Sequence, residues 1–149
     1  MNATLRPRPD AQSQRPLLTA REREAIGRSP WFAALTPSLR HDILRSAYVK
    51  RYKDGALICA RGDMPEAWMA CAKGAIRVSS TSFTGRQVTL AYIEPGVWVG
   101  DMALFDGDTR THDAYAHGET TLLCVSQADF RKILQQHVEL YDALLRLQA

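Results

Sequence analysis

The sequence predicts a mainly β, mixed α+β fold. It is expected to be a double-stranded β-helix or jelly-roll (a β-roll), flanked by N-terminal helices and by one long C-terminal helix. Short apolar runs fill the middle of the 149-residue chain, and glycines recur there at a nearly constant interval. The apolar spacing becomes helical on both sides of this region. The length suits one domain with one hydrophobic core.

The strand region extends from residue 48 to residue 126. Its predicted strands are Tyr48–Tyr52, Ala56–Ala60, Ala67–Ala72, Ala75–Ser80, Val88–Ile93 and Thr121–Val125. Glycines lie 11 or 12 residues apart along it, at Gly62, Gly74, Gly85, Gly96, Gly107 and Gly118. A turn every eleven residues indicates strands of similar length that fold back repeatedly, as in a jelly-roll or barrel. Each glycine is expected in a turn with positive φ.

The N-terminal part divides into an arm and a helical segment. Residues 1–20 are predicted to be a flexible arm, because three prolines and arginine-rich polar spacing leave little apolar surface to bury. The folded domain is expected to span residues 21–149. From residue 20 to 47 the spacing predicts two short helices, capped by Thr19 or Ser29, of which the second is amphipathic.

The C-terminal segment, Ser126 to Ala149, is predicted to be one long helix capped by Ser126. Its apolar residues fall close to a heptad seam that also includes His137: Ile133, Leu140, Leu144 and Leu147. These leucines and the isoleucine fit two interpretations, packing on the β-roll or the seam of a homodimer, and one helix can do both. The pattern continues to the last residue without a glycine or proline stop signal.

The bulk composition excludes several classes of protein. Hydrophobic residues make up 46% and charged residues 23%, and the formal net charge of +3 is too small to indicate nucleic-acid binding. No apolar run is long enough to span a membrane, and no signal peptide is evident, so we expect a cytoplasmic protein. The odd cysteine count predicts buried thiols. The histidines form no metal-ligand spacing, so no metal is expected.

The segment from Gly100 to Thr111 combines groups that bind a phosphodiester. After Gly100, residues 101–104 can form one helical turn whose backbone N–H groups face outward, and such amides bind phosphate. Arg110 offers a fixed fork of donors to phosphate oxygens, and Thr111 adds a hydroxyl. Asp101 can accept a hydrogen bond from a ribose hydroxyl. Alternatively, Arg110 is a surface arginine and Asp101 is only a helix cap.

This segment resembles the phosphate-binding cassette of cyclic-nucleotide-binding domains. The resemblance rests on G100-D-M-A-L-F, five intervening positions and R110-T111. Further landmarks match along residues 30–149: W31-F-x-x-L35, Y52-x-x-G55-x-x-I58, G62-D63, G74-x-I-R-V78, Gly85 and A128-D-F130. The chain is most similar to bacterial transcription regulators of the catabolite-activator and FNR (CRP/FNR) type.

The resemblance implies a role for each residue of the cassette. Arg110 would bind the cyclic phosphate of cAMP or cGMP with help from Thr111. The amides of Met102 and Ala103 would line the phosphate pocket, next to Gly100, and Asp101 would accept the ribose 2′-hydroxyl. The family usually has glutamate where this chain has Asp101, and Asp113 is close enough in sequence to compete for the Arg110 guanidinium.

By the same resemblance we expect a non-enzymatic ligand sensor that dimerises through its C-terminal helix. A DNA-binding helix-turn-helix domain is absent from the 149 residues, so the chain is either part of a longer regulator, which we expect, or a stand-alone sensor. Contacts to the base are expected one or two helical turns beyond Ala149. Two alternatives stay open: a degenerate β-roll that serves only as a dimerisation scaffold, and a cupin-type metalloenzyme, against which the absence of a His-x-His cluster argues.

Overall fold

The fold is an antiparallel β-roll with helices at both ends. A computed structural model describes residues 17–148, in which six helices and six strands form. In chain order they are α1 (Ala20–Arg28), α2 (Pro30–Ala33), α3 (Pro37–Ser46), β1 (Tyr48–Tyr52), β2 (Leu57–Cys59), β3 (Ala67–Thr81), β4 (Gln87–Ile93), β5 (Trp98–Val99), α4 (Asp101–Asp106), β6 (Asp113–Ser126), α5 (Gln127–Gln136) and α6 (Glu139–Gln148). The predicted fold class is confirmed.

Hydroxyl caps divide the N-terminal segment into three helices, where the sequence predicted two. The Thr19 side chain accepts a hydrogen bond from the Glu22 amide, and Glu22 accepts one from the Thr19 amide, which completes a capping box at α1. Ser29 caps α2 and Thr36 caps α3 in the same way. Residues 1–16 of the predicted arm lie outside the described residues, but Leu18 already packs on the core, so the ordered fold begins before residue 21.

The sheet is built around its two longest strands, β3 and β6. The strand order is β1-β6-β3-β4, while β2 pairs with β6 and β5 pairs with β3, and all pairs are antiparallel. Every glycine of the eleven-residue rhythm has a positive φ, as predicted. Gly74 and Gly118 lie inside β3 and β6, and the loops between the strands return the chain, which brings β5 and the start of β6 to the same end as the loop after β2.

The two predicted strands Ala67–Ala72 and Ala75–Ser80 are parts of one 15-residue strand, β3. Gly74 lies within it at φ 74°, where the register against β6 shifts. A Cβ at this position would be 2.4 Å from the Glu119 carbonyl oxygen, so only glycine fits. The irregularity bends the strand without ending it, and β6 likewise extends well beyond the predicted Thr121–Val125.

Side chains of the long strands alternate between two apolar clusters, one on each face of the sheet. The outer face packs against the helices and contains three tryptophans whose rings contact one another: Trp31, Trp68 and Trp98. The inner face lines the interior of the roll and is made of smaller residues, including Ala67, Cys71 and Cys124. The three cysteines are unpaired thiols, two of them buried.

The predicted long C-terminal helix is instead two ten-residue helices, α5 and α6. The chain leaves the helical conformation at His137, where φ is −131° and ψ is 83°. The His137 Nε2 atom lies 2.7 Å from Asp42 Oδ2 on α3, a contact that fixes the break against the N-terminal helices. The helix α6 therefore turns back onto the roll, where Leu140 and Leu144 are buried.

Residues 17–148 contain neither a membrane-spanning helix nor a cluster of metal-ligating side chains. No helix among them is both long enough and apolar enough to cross a bilayer. In the same part of the chain, no group of three or more histidine, cysteine or acidic side chains is arranged to hold a metal ion.

Candidate functional site

Gly100 places the helix α4 directly against Arg110. Its φ of 97° lies in the left-handed region, and it is the residue before the first turn of α4. A Cβ at Gly100 would approach both the Ala67 carbonyl oxygen and Arg110 Nη1 to 3.3 Å. Only glycine therefore combines this backbone turn with so close an approach of the guanidinium.

Arg110 is held by its backbone and keeps most of its side-chain donors available. Its amide donates to the Asp63 carbonyl oxygen, and its carbonyl oxygen accepts from the Gly62 amide, both at 2.8 Å. Its Nη2 donates to the Ala67 carbonyl oxygen at 3.1 Å. Within residues 17–148 this is the single hydrogen bond of the guanidinium, which has five N–H donors.

The predicted competition by Asp113 for Arg110 does not occur. The Asp113 Oδ1 atom accepts a hydrogen bond of 2.8 Å from the backbone amide of Arg61. The strand β6 starts at Asp113 and pairs with β2, so this carboxylate faces the loop that follows β2. In the part of the chain that the structure describes, the Arg110 guanidinium forms no ion pair with a carboxylate, and so it can bind an anion.

Asp101 has a partner that the sequence did not reveal. It is only 2% exposed, and its Oδ2 atom accepts a hydrogen bond of 2.8 Å from Gln148 Nε2, in the last turn of α6. Burial raises the pKa of Asp101, while its own backbone amide and the Gln148 amide act in the opposite direction. The break at His137 makes this contact possible, because a single straight helix could not fold back over the cassette.

Thr111 lies on the surface of the cassette. It is exposed, and its Oγ1 atom lies 2.9 Å from His112 Nδ1. A hydroxyl donates one hydrogen bond and accepts two, so Thr111 can contact a ligand while it keeps this neighbour. Its position directly after Arg110 puts both side chains at the same edge of the roll.

All six predicted site residues line one cavity of about 500 Å³ between the cassette and α6. They are Gly100, Asp101, Met102, Ala103, Arg110 and Thr111. Leu147 and Gln148 close the opposite side, so the last turn of α6 reaches the cavity. The expected contacts to the base stay a prediction. The volume is in the range of small-molecule sites.

A second cavity, of about 240 Å³, lies on the inner face of the roll and shares Gly100, Arg110 and Thr111 with the first. The rest of its lining is mainly apolar and also includes the polar residues His112 and Asp113; the apolar members are Ile76, Val78, Ile93, Val99, Met69 and Ala114, with Cys59. Arg110 thus stands between a polar compartment and an apolar one. This arrangement suits a ligand with a charged end and a flat apolar end.

Comparison with known proteins agrees with this geometry. The family of cyclic nucleotide-binding domains matches residues 49–137, which contain the roll and the whole cassette. The cyclic AMP receptor protein of Thermus thermophilus is 32% identical over 109 residues, which cover 72% of this chain and 50% of that protein. The chain therefore spans about half the length of this curated relative.

Solved structures support the same assignment. The catabolite activator protein of Thermus thermophilus superposes with a TM-score of 0.73 at 29% identity, over 80% of this chain and 56% of that one. The N-terminal domain of a transcriptional regulator from Streptomyces coelicolor gives a TM-score of 0.71 at 28% identity, over 83% and 86% of the two chains. The chain therefore belongs to the cyclic nucleotide-binding domain family and is homologous to regulators of the catabolite-activator type.

Proposed function

We propose that this domain senses a cyclic nucleotide whose phosphate binds at Arg110. The observation that carries the proposal is a half-buried guanidinium, without a carboxylate partner among residues 17–148, in the wall shared by two cavities. Arg110 and the Thr111 hydroxyl hold the phosphate oxygens, next to the amides of Met102 and Ala103. Asp101 receives the ribose hydroxyl beside Gly100. The nucleotide is bound and released without a chemical step, so the proposed domain is a sensor and not an enzyme.

The apolar compartment is the proposed place for part of the nucleoside. Ile76, Val78 and Ile93 present aliphatic surface on the inner face, against which a planar base or the sugar can pack. The printed name of the Thermus relative, a cyclic AMP receptor protein, makes cAMP the first ligand to test, with cGMP as the alternative.

The proposed output is a change in the position of the C-terminal helices. A ligand that binds one arrangement more tightly shifts the population toward it. The cavity at the cassette is lined on one side by the end of α6, so filling it affects that helix directly. In a longer regulator, we propose, this shift reaches a DNA-binding helix-turn-helix domain outside these 149 residues, in the cytoplasm.

A homodimer through α6 is the proposed assembly, but not through the leucines of the predicted seam. Ile133, Leu140 and Leu144 are buried on the roll, in agreement with the packing interpretation. The opposite side of the segment carries three exposed apolar residues at helical spacing: Val138, Tyr141 and Leu145, which are 72%, 49% and 71% exposed. An apolar stripe of this kind is typical of an interface.

Titration calorimetry with cAMP and cGMP tests the ligand proposal. We expect the unmodified protein to bind at least one of them and the Arg110→Ala variant to bind it at least about tenfold more weakly, because two or more charge-assisted hydrogen bonds are lost. The matched control is Arg61→Ala, an exposed arginine on the neighbouring loop. Binding of neither nucleotide at millimolar concentration would disprove the proposal.

Sizing chromatography at several concentrations tests the assembly. We expect a dimer that Leu145→Asp converts to a monomer, while Arg146→Ala, on the same helix, leaves it unchanged. A dimer that persists in Arg110→Ala, in a protein that binds no nucleotide, would instead favour the scaffold alternative.

A further inference from the structure

The carboxylate that would take the ribose hydroxyl is already occupied by this chain. Gln148 Nε2 donates to Asp101 Oδ2 at 2.8 Å, a normal length for such a bond. Asp101 is 2% exposed, so water has almost no access to its side chain. Leu147, the preceding residue, lines the same cavity and packs against the outer-face cluster.

The Gln148 amide stabilises Asp101 in the way a ligand hydroxyl would. A buried carboxylate without a donor is costly, and the Gln148 amide is one of the two groups that favour its ionised form, the other being its own backbone amide. A ribose hydroxyl offers the same kind of donor to the same oxygen. The two donors therefore exclude each other at Oδ2 while α6 stays in place.

The rest of α6 is anchored more firmly than its last turn. Leu140 and Leu144 are buried in the core, the Trp31 indole donates to the Ala143 carbonyl oxygen at 2.6 Å, and the start of the segment is tied down by His137. Gln148 itself is exposed apart from its contact with Asp101. Release of Gln148 from Asp101 thus requires movement of the final turn alone.

We propose that Gln148 is an intramolecular competitor of the ligand, which occupies Asp101 in the unliganded domain and is displaced when the nucleotide binds. This inference rests on the proposed function and adds the regulation of that site. The displaced last turn then carries the binding signal to whatever follows α6. The proposal predicts an unusual direction: removal of a residue that lines the cavity strengthens binding.

Calorimetric titration with cAMP, and with cGMP in parallel, tests this inference on the unmodified chain, Gln148→Ala and the control Arg146→Ala. Because the nucleotide no longer has to displace the hydrogen bond between Gln148 and Asp101, we expect Gln148→Ala to bind it about 3- to 30-fold more tightly. Arg146→Ala, exposed on the same helix, binds like the unmodified protein. In the Asp101→Ala background, Gln148→Ala has no effect, because the two residues act through one contact. Circular dichroism melts confirm that each variant is folded.

The outcomes separate this inference from the proposed function. Tighter binding by Gln148→Ala that disappears in the Asp101→Ala background supports both. Nucleotide binding that Gln148→Ala leaves unchanged or weakens overturns the competition alone, since Gln148 is then a bystander or a ligand contact. Binding by none of the proteins overturns the proposed function and the competition with it.

Discussion

The outer and inner faces of the β-roll are built on opposite principles. The outer face buries large aromatic side chains against the helices, and its ring centroids lie as close as 4.3 Å between Trp68 and Trp98. Phe130 from α5 packs on the same group. The inner face is made of small or flexible side chains and borders cavities of about 240 and 310 Å³. Residues that alternate along a single strand, β3, contribute to both faces.

The two faces therefore have different roles in stability and in the proposed binding. Close packing on the outer face fixes the helices to the roll. The open space on the inner face reduces the stabilisation from packing and leaves Arg110 accessible from more than one side. Substitutions on the outer face should therefore change the free energy of unfolding, and substitutions near the cassette should change binding.

The largest expected effect is on the outer face. Phe130→Ala removes a ring that is 1% exposed and contacts Trp68 and Phe105, so we expect a loss of about 3–5 kcal/mol in the free energy of unfolding. Urea denaturation measures it. A loss below about 1 kcal/mol would mean that the aromatic cluster does not hold the helices to the roll.

A smaller effect is expected at the ion pair that joins α1 to β1. Arg51 Nη1 donates to Glu22 Oε2 at 2.7 Å. Burial acts to raise the pKa of Glu22, but the hydrogen bonds from Arg51, Thr121 and the Thr19 amide outweigh it and lower the pKa to about 2. Glu22→Gln should cost about 1.5–3 kcal/mol at pH 7.

The pH dependence of this pair follows from the sign of the shift. A carboxylate with a lowered pKa stabilises the fold above its ordinary value of 4.5, and this contribution is lost as the pH falls toward about 2. The free energies of unfolding of the unmodified protein and of Glu22→Gln should therefore approach each other as the pH falls from 4.5 toward about 2. A constant difference between the two free energies of unfolding across this range would contradict a stabilising role of the Glu22–Arg51 ion pair.

A further effect is expected at the helix break. The hydrogen bond that His137 donates to Asp42 raises the pKa of His137, and the same contact lowers the pKa of Asp42. The contribution of His137 to the free energy of unfolding is complete below its ordinary pKa of 6.5 and is lost as the pH rises through its raised value. The contribution of Asp42 is lost at the other end of the range, as the pH falls below 3.8. As the pH rises above 6.5, the unfolding temperature of the unmodified protein should thus decline more than that of His137→Gln.

The smallest effect on stability is expected on the inner face. Val78→Ala removes two methyl groups beside a cavity that is already open, and it should cost about 1 kcal/mol or less. The same variant should weaken nucleotide binding severalfold, because Val78 is part of the apolar lining. Urea denaturation and calorimetry on one sample measure both quantities, and a large stability loss with unchanged binding would reverse the assignment of the two faces.

The sequence was sufficient for features that depend on local chemistry. The glycine rhythm predicted positive φ at each position because this is a property of single residues, and hydroxyl caps at Thr19, Ser29 and Ser126 lie next to the helices they start. The cassette could be recognised because its residues are contiguous. The predicted roles of its side chains toward a ligand stay predictions.

Features that depend on distant partners could not be predicted. The heptad-like spacing continues through His137, and the break there depends on Asp42, which lies 95 positions away in the chain. Gln148 and Asp101 are 47 positions apart in the chain, so their hydrogen bond could not be predicted from local sequence either. Gly74 was expected to end a strand, but its backbone accommodates a bend inside β3 because Glu119 of β6 lies against it.

Thermal unfolding with and without cAMP tests the central claim most directly, on the unmodified protein, Arg110→Ala and Ile133→Val. At about 100 times the dissociation constant, bound nucleotide adds about 2.7 kcal/mol, which raises the unfolding temperature by about 5–15 °C. Ile133→Val, on the outer face, should lower the starting temperature and keep this increase. Arg110→Ala should keep the starting temperature and lose the increase. An equal increase in Arg110→Ala, or none in the unmodified protein, would contradict the assignment of Arg110 as the phosphate-binding residue.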